Sequence, residues 1–262
     1  MWTSLKCLLQ YRGLIQALVS RELKARYRGS VLGFFWSFVN PLLLLLVYTF
    51  VFTVIFRPAR TEGLTPYALF LFCGLLPWTW FSSSLLESSS VLSNNANLIQ
   101  KVLFPADVLP CVNVFSNFIH FLLGLPILFA FLIYYRRPLN IYLLLFPAVV
   151  LIQIIFTLGF AMFISSLSVH FRDIRDLLAN LLTFWFFATP IIYPNTMIPE
   201  RYRWVLDLNP MTHIMMGYQD TLFKGQLPHW KKLSVTLLIA LVVFYVGYFL
   251  FDRLRDSFAE EV

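Results

Sequence analysis

A basic segment, Arg21-Glu22-Leu23-Lys24-Ala25-Arg26-Tyr27-Arg28, runs into an apolar stretch from Val31 to Phe56. That stretch is longer than the ~20 residues a helix needs to cross a bilayer. Within it, Leu42 to Val54 carries no charged group, so in hydrocarbon its backbone groups must bond to one another, which dictates a helix. The chain is built for a membrane. Lys6, Arg12, Arg21, Lys24, Arg26 and Arg28 precede the run and only Arg57 and Arg60 follow closely, so the positive-inside rule puts the N-terminus in the cytoplasm. That orientation fixes the side of every later loop.

Composition agrees. Hydrophobic residues make up 59% of the chain, charged residues 13%, and the mean hydropathy is +0.75, outside the usual range of a soluble domain. The expected organisation is an all-α integral membrane protein: an N-terminal interface helix over residues 1–30 and a single transmembrane domain over 31–262. The formal charge of +7 does not point to nucleic acid, because the basic residues flank apolar spans, where anionic headgroups or a cytosolic partner supply the counter-charge. Cys7, Cys73 and Cys111 form no CxxC spacing and are read as small core residues rather than a disulfide framework or a zinc site. The first long apolar run follows a basic segment and is too long for a signal-peptide core, so the N-terminus is expected to be retained.

Along the chain, Trp2 to Arg28 reads as an interfacial amphipathic helix, with Arg21, Lys24 and Arg28 as a basic stripe. It either anchors on anionic lipid or docks a cytosolic subunit. After the first span, Tyr67 to Leu86 returns to the cytoplasm and ends in serines around Glu87, a carboxylate expected at the inner interface or facing protein. Asn94 to Phe104 is a short cytoplasmic helix stopped by Pro105, either a connector or a knob for a partner. Val108 to Tyr135 is the third span, with Asn113, Asn117, His120 and Gly124 on one face, for interhelical packing or a pore. Arg136 and Arg137 fall outside, and Ile141 to Val169 returns inward with Gln153 as its one strongly polar interior residue. The charged turn from His170 to Asp176 sits in the cytoplasm, with Arg172 and Asp176 at i, i+4 spacing. Leu177 to Ile192 goes outward and ends at Pro190 and Pro194. The stretch up to Lys232 is too polar to cross and too apolar for a free loop, which fits short re-entrant helices. Leu233 to Phe251 is the last span, giving about six crossings with both ends inside.

Catalytic motifs are missing from the sequence. It holds no GxxxxGK[ST] phosphate loop, HExxH helix or GxSxG elbow, and His120, His170, His213 and His229 lack ligand spacing. A non-enzyme is expected, with no cofactor of its own, so any uphill transport draws its energy from another subunit. Aromatic residues reach 18%, more than interfacial belts require. Tyr48, Phe52, Phe56, Trp78, Trp80, Trp185 and Tyr193 are candidates to offer ring faces to sugars along a channel, with lipid-belt or core packing as the alternative for each.

The order of these features resembles the membrane subunits of type-2 ABC exporters, particularly those for O-antigen, teichoic acid or capsule polysaccharide. The resemblance rests on Arg21 to Gly33, then Trp36 and Asn40-Pro41-Leu42, then Phe104-Pro105 and Arg172-Asp173-Ile174. It continues through Thr189-Pro190-Ile191-Ile192-Tyr193-Pro194, Ile198-Pro199 and Leu208-Asn209-Pro210-Met211. It implies a half-transporter that pairs with a second copy and with two cytosolic ATP-binding subunits, which carry ATP and Mg. It also implies an undecaprenyl-diphosphate-linked glycan passing between the copies in the inner membrane. By position, the interface helix with Arg21 and Lys24, the coupling helix with Asn94, Leu98, Val102 and Phe104, and the turn at Arg172 and Asp173 receive the ATPase stroke. Residues 191–232 resemble outer gate helices. Arg26 and Arg28, near the inner interface, are candidates to attract the diphosphate headgroup. Two other expectations compete: a small-molecule exporter on the same architecture, and an intramembrane enzyme for which Glu87 is the one candidate carboxylate.

Overall fold

The computed structural model describes residues 11–26, 28–51, 66–101, 104–137, 140–171 and 173–258. Its regular structure is helical, with no strand among the described residues. Among the described residues four helices are long and apolar enough to cross a membrane: α3 (Tyr67–Ser88), α6 (Val108–Tyr134), α7 (Phe146–His170, entered through the 3-10 turn Ile141–Leu145) and α11 (Trp230–Leu254). The first expected crossing coincides with α2 (Trp36–Phe50), past which the described residues reach only Val51, and the fifth with α8 (Ile174–Phe187), whose 14 residues are below the ~20 a bilayer asks for.

Helix α3 is the axis of the bundle. The most apolar window of α3 is 78% buried, against 39% for α6, 39% for α7 with its leading turn, and 22% for α11. Its Leu69, Phe70, Leu71, Cys73, Phe81 and Leu85 are fully enclosed. The third-span face reads as packing: Gly124 lets α6 close on Leu76 of α3, and Asn113 and Asn117 bond to α3. Gln153, the one strongly polar side chain inside α7, is buried and donates to the Pro77 carbonyl at 2.8 Å. Helices α7 and α11 meet backbone to backbone at Gly159 and Gly247, the small-residue seam that tight packing in lipid favours. Cys73 and Cys111 are free and buried, as small core residues.

Helix α1 (Arg12–Arg26) lies against the start of α6, where Leu18 and Val19 bury against Val108 and Val112. Trp2 to Gln10 and Tyr27 of the expected interface helix fall outside the described residues. Gly29 and Gly33, with φ of 79° and 49°, supply the left-handed backbone that turns the chain from α1 into α2. After α3 come two short pieces, α4 (Val91–Asn94) and α5 (Ala96–Lys101), where one coupling helix is expected. Between α8 and α11 the chain forms 3-10 turns at Asn195–Met197 and Glu200–Tyr202, then α9 (Arg203–Leu208), α10 (Pro210–Tyr218) and a π-helical turn, Gln219–Lys224. Helix α10 is too short to cross, yet its Met211, Ile214, Met215 and Tyr218 are fully buried against α3, α7 and α11. Arg137, at the end of α6, rests its guanidinium 4.4 Å above the Phe223 ring and so ties α6 to the π turn.

Candidate coupling site and aromatic core

Glu87 stands on the last turn of α3, and two other helices, α1 and α6, converge on it. Arg26, the last residue of α1, donates from Nη2 to Oε1 at 2.8 Å and from Nη1 to Oδ1 of Asn117 at 3.3 Å. Asn117 of α6 donates to Oε2 at 2.6 Å. With its amide turned to satisfy its neighbours, Asn113 also donates to Oε2 at 2.6 Å and accepts from Ser88. Arg26 and Glu87 keep 28% and 36% of their side-chain surface, so water screens the pair in part, and the amides supply much of its geometric definition. Sequence patterning places Glu87 at an interface or against protein but leaves its partner open, because Arg26 lies 61 positions away and no local spacing links them.

Below this knot, a cavity of about 340 Å³ is bounded by Arg21 and Arg26 of α1, Glu87 of α3 and Asn94 of α4. Two of the expected coupling residues, Arg21 and Asn94, therefore line one cavity. Lys24 is exposed on α1, Leu98 is half-buried on α5, and Phe104 packs on the Leu18 cluster; Asp173 is exposed ahead of α8 and is not among the residues lining this cavity. Val102 and Arg172 lie outside the described residues. Arg28 is exposed in the turn after α1. Of the two headgroup candidates, Arg26 is thus already engaged by a carboxylate.

The aromatic candidates divide. Trp78, Trp185 and Tyr48 join one cluster: Trp78 lies 6.5 Å from Trp185 and 5.6 Å from Phe186, and Phe186 lies 6.3 Å from Tyr48. Trp185 also meets Phe81 at 5.3 Å and Phe160 at 5.7 Å. These edge and tilted contacts are the geometry that ring quadrupoles favour; Trp78 is buried in them, while Tyr48 and Trp185 keep part of their surface exposed in the single protomer. Trp80 sits apart, 2% exposed, beside Phe118 and Phe121, with Nε1 on the Val114 carbonyl at 3.2 Å. Tyr193 is half-buried and its hydroxyl donates to the Phe187 carbonyl at 2.7 Å. Phe52 and Phe56 lie outside the described residues.

Two motifs far apart in sequence meet at Asn209. Its Oδ1 accepts from Trp185 Nε1 at 2.9 Å and from the Met211 amide at 3.1 Å, capping α10, while its Nδ2 donates to Thr189 Oγ1 at 3.0 Å. Gln219 adds a bond to the Pro190 carbonyl at 2.8 Å. The Thr189-Pro190 and Asn209-Pro210 stretches thus form one joint between α8 and α10. Beside it lies a charged group: Asp207 pairs with Lys232, Asp220 with Lys224 at 2.8 Å and with His229 at 3.6 Å, and His213 Nε2 meets the Asp207 carbonyl at 3.1 Å. Burial holds the His213 imidazole below its usual pKa. The i, i+4 spacing of Asp220 and Lys224 is the signal by which sequence alone could have found part of this group.

The chain is similar to the O-antigen export system permease protein RfbA of Myxococcus xanthus, 42% identical over 257 residues and 97% of each chain. A protein of the same description from Klebsiella pneumoniae is 34% identical over 94% of each chain. The polysialic acid transport protein KpsM of Escherichia coli is 24% identical over 93% of each. The pattern of the ABC-2 type transporter family matches residues 13–223, from α1 through the π turn, and the chain, a multi-pass membrane protein, belongs to that family.

Proposed function

We propose that this chain is the membrane subunit of an ATP-driven exporter that carries lipid-linked polysaccharide, an O-antigen-like glycan, from the cytoplasm across the inner membrane. The observation that carries the proposal is 42% identity, over 97% of both chains, with a protein described as an O-antigen export permease. In this proposal two copies enclose the channel, since a polymer needs wider walls than one helix bundle provides. Two cytosolic ATP-binding subunits bind ATP and Mg and supply the energy. Six crossings then consist of α3, α6, α7 and α11 together with α2 and α8, with both termini in the cytoplasm.

The parts take roles within that frame. Helix α1 with Arg21 and Lys24, the pair α4 and α5 with Asn94 and Leu98, the following Val102 and Phe104, and the turn with Arg172 and Asp173 receive the ATPase stroke. The shared cavity between Arg21 and Asn94 supports the first two acting together. Tyr48, Trp185 and Tyr193, each only partly buried in the single protomer, border the channel with Phe52 and Phe56. The segment 191–232 forms the outer gate, and exposed Arg28 attracts the diphosphate of an undecaprenyl carrier.

The test is depletion in the native host followed by assay of lipid-linked glycan on each face of the inner membrane. Polymer still attached to its lipid is expected to build up on the cytoplasmic face. Normal display of glycan would refute the cargo assignment and favour a small-molecule exporter instead.

A further inference from the structure

Arg26 borders a second cavity besides the one it shares with Asn94. This cavity, about 430 Å³, lies between α1, α2, α3 and α6, a size within the ~300–1,000 Å³ of pockets that take small organic ligands. Its lining is graded along the bundle. At the end where α1 stops and α3 finishes it presents Arg26, Ser83 and Asn117, with Trp36 beside them. One turn further it presents Asn40, Thr79 and His120. At the far end it presents Leu44, Phe72 and Leu75. A polar, cationic end that passes into an apolar one within a single cavity matches an amphiphile, and an indole at the polar end is the residue type that sits at headgroup level.

The charge of the head follows from the donors. A guanidinium carries five N–H groups. Arg26 gives one to Glu87 and one to Asn117, which leaves donors for a further acceptor, and Ser83 adds a hydroxyl at the same end. Phosphate oxygens suit such a fork, and one phosphate accepts from several donors at once. Glu87 and Asn117 hold the guanidinium in place and act here as positioning residues. The cavity accommodates a head and the first part of one hydrocarbon chain, and the remainder leaves beside Leu44, which is 37% exposed.

We propose that this cavity binds a phosphate-headed amphiphile, its phosphate on Arg26 and its chain directed past Leu75 toward Leu44. The proposal rests on the exporter reading only for the orientation that puts the head in the inner leaflet. Both a bilayer phospholipid and a polyprenyl phosphate carry this chemistry.

The experiment uses the full-length chain purified from membranes in mild detergent, with retained lipid counted by native mass spectrometry and no ATP or glycan present. Dioleoyl phosphatidylglycerol is expected to be retained roughly tenfold more than dioleoylglycerol, which keeps both chains and lacks the phosphate, the scale of a charge-assisted hydrogen bond. Arg26→Gln is expected to abolish that preference. Ser83→Phe, which fills the cavity without touching the ion pair, is expected to reduce retention of both lipids while thermal melting stays at the wild-type value. Titration with undecaprenyl phosphate separates the sources: displacement at about tenfold lower mole fraction assigns the site to a carrier lipid, and resistance assigns it to a bilayer phospholipid. Equal retention of the two dioleoyl lipids by the wild type, or unchanged retention by Ser83→Phe, overturns the proposal even where glycan export by this protein is established. Should Arg26→Gln fail to fold, Ser83→Phe decides alone.

Discussion

Replacing Gly247 by alanine tests the seam between α7 and α11. A methyl carbon there would stand 2.2 Å from the Gly159 carbonyl oxygen and 3.0 Å from its carbon, where ordinary contact begins near 3.4 Å. The obstacle is backbone inside a helix, so no rotamer relieves it, and the two axes must separate locally by about 1 Å. Overpacking of this kind costs about 1–3 kcal/mol. The upper part of that range applies, because lipid is as apolar as leucine and close packing is what holds α11, the least buried of the four long helices. A loss of about 2–3 kcal/mol lowers the melting temperature of a chain this size by roughly 4–12 °C.

The assay is thermal unfolding of the purified protein in detergent, followed by tryptophan fluorescence. Gly13→Ala is the control: no atom lies within 4 Å of its added methyl, and alanine improves helix propensity by up to about 1 kcal/mol. Melting of Gly247→Ala within a degree of wild type would refute the backbone contact. A fall as large in Gly13→Ala would show that the assay reads something other than the seam.

Three further outcomes are expected. In a double-mutant cycle of Arg26→Ala and Glu87→Gln, melting should reveal a coupling of about 1–2 kcal/mol, above the ~0.2–1 kcal/mol typical of exposed pairs because amides orient this one; additivity would dissolve the link between α1 and α3. Asn209→Ala should cost roughly 2–4 kcal/mol, combining a lost helix cap with an unpaired Trp185 N–H, and Asn209→Asp, which keeps the acceptor, should cost less; equal losses would show that the bond to Trp185 is immaterial. Because burial depresses the His213 pKa in the folded protein, its contribution to stability should be complete above about pH 6.5, the ordinary histidine value, and decline as pH falls through the folded value; His213→Gln should flatten that part of the acid slope, and an unchanged slope would exclude His213 as its source.

Local pattern carries much of this fold. The apolar runs at α3, α6, α7 and α11 are read directly from composition, and the inward face of α6 from the spacing of Asn113, Asn117 and Gly124. Pairings over long separations are not written locally. Nothing near Gly159 indicates that Gly247 will meet it, and nothing near Glu87 selects Arg26 over Lys24 or Arg28, since each lies on the same short helix or the turn after it. The aromatic fraction shows the same limit. Ring content alone is compatible with a channel wall or a core, and contact is what assigns Trp78 and Trp80 to the interior of one protomer, where each already meets other rings.

Position gives the Arg26, Glu87 and Asn117 group its importance. Helix α3 ends one residue after Glu87, and the chain passes within two residues into α4 and α5. In the proposed exporter those short helices meet the ATPase, so a push on them reaches Glu87 along continuous backbone and then divides, toward α1 through Arg26 and toward α6 through Asn117. Coupling of that kind requires an element with two arrangements that both sites can bias. In this proposal that element is the Arg26 guanidinium, which Glu87 and Asn117 hold and whose remaining donors serve the graded cavity, so a bound phosphate and the link between α3 and α1 draw on one side chain. Lipid occupancy and ATPase contact would then act on one side chain, and reciprocity requires that tighter ATPase engagement alter lipid affinity by the factor through which lipid alters engagement.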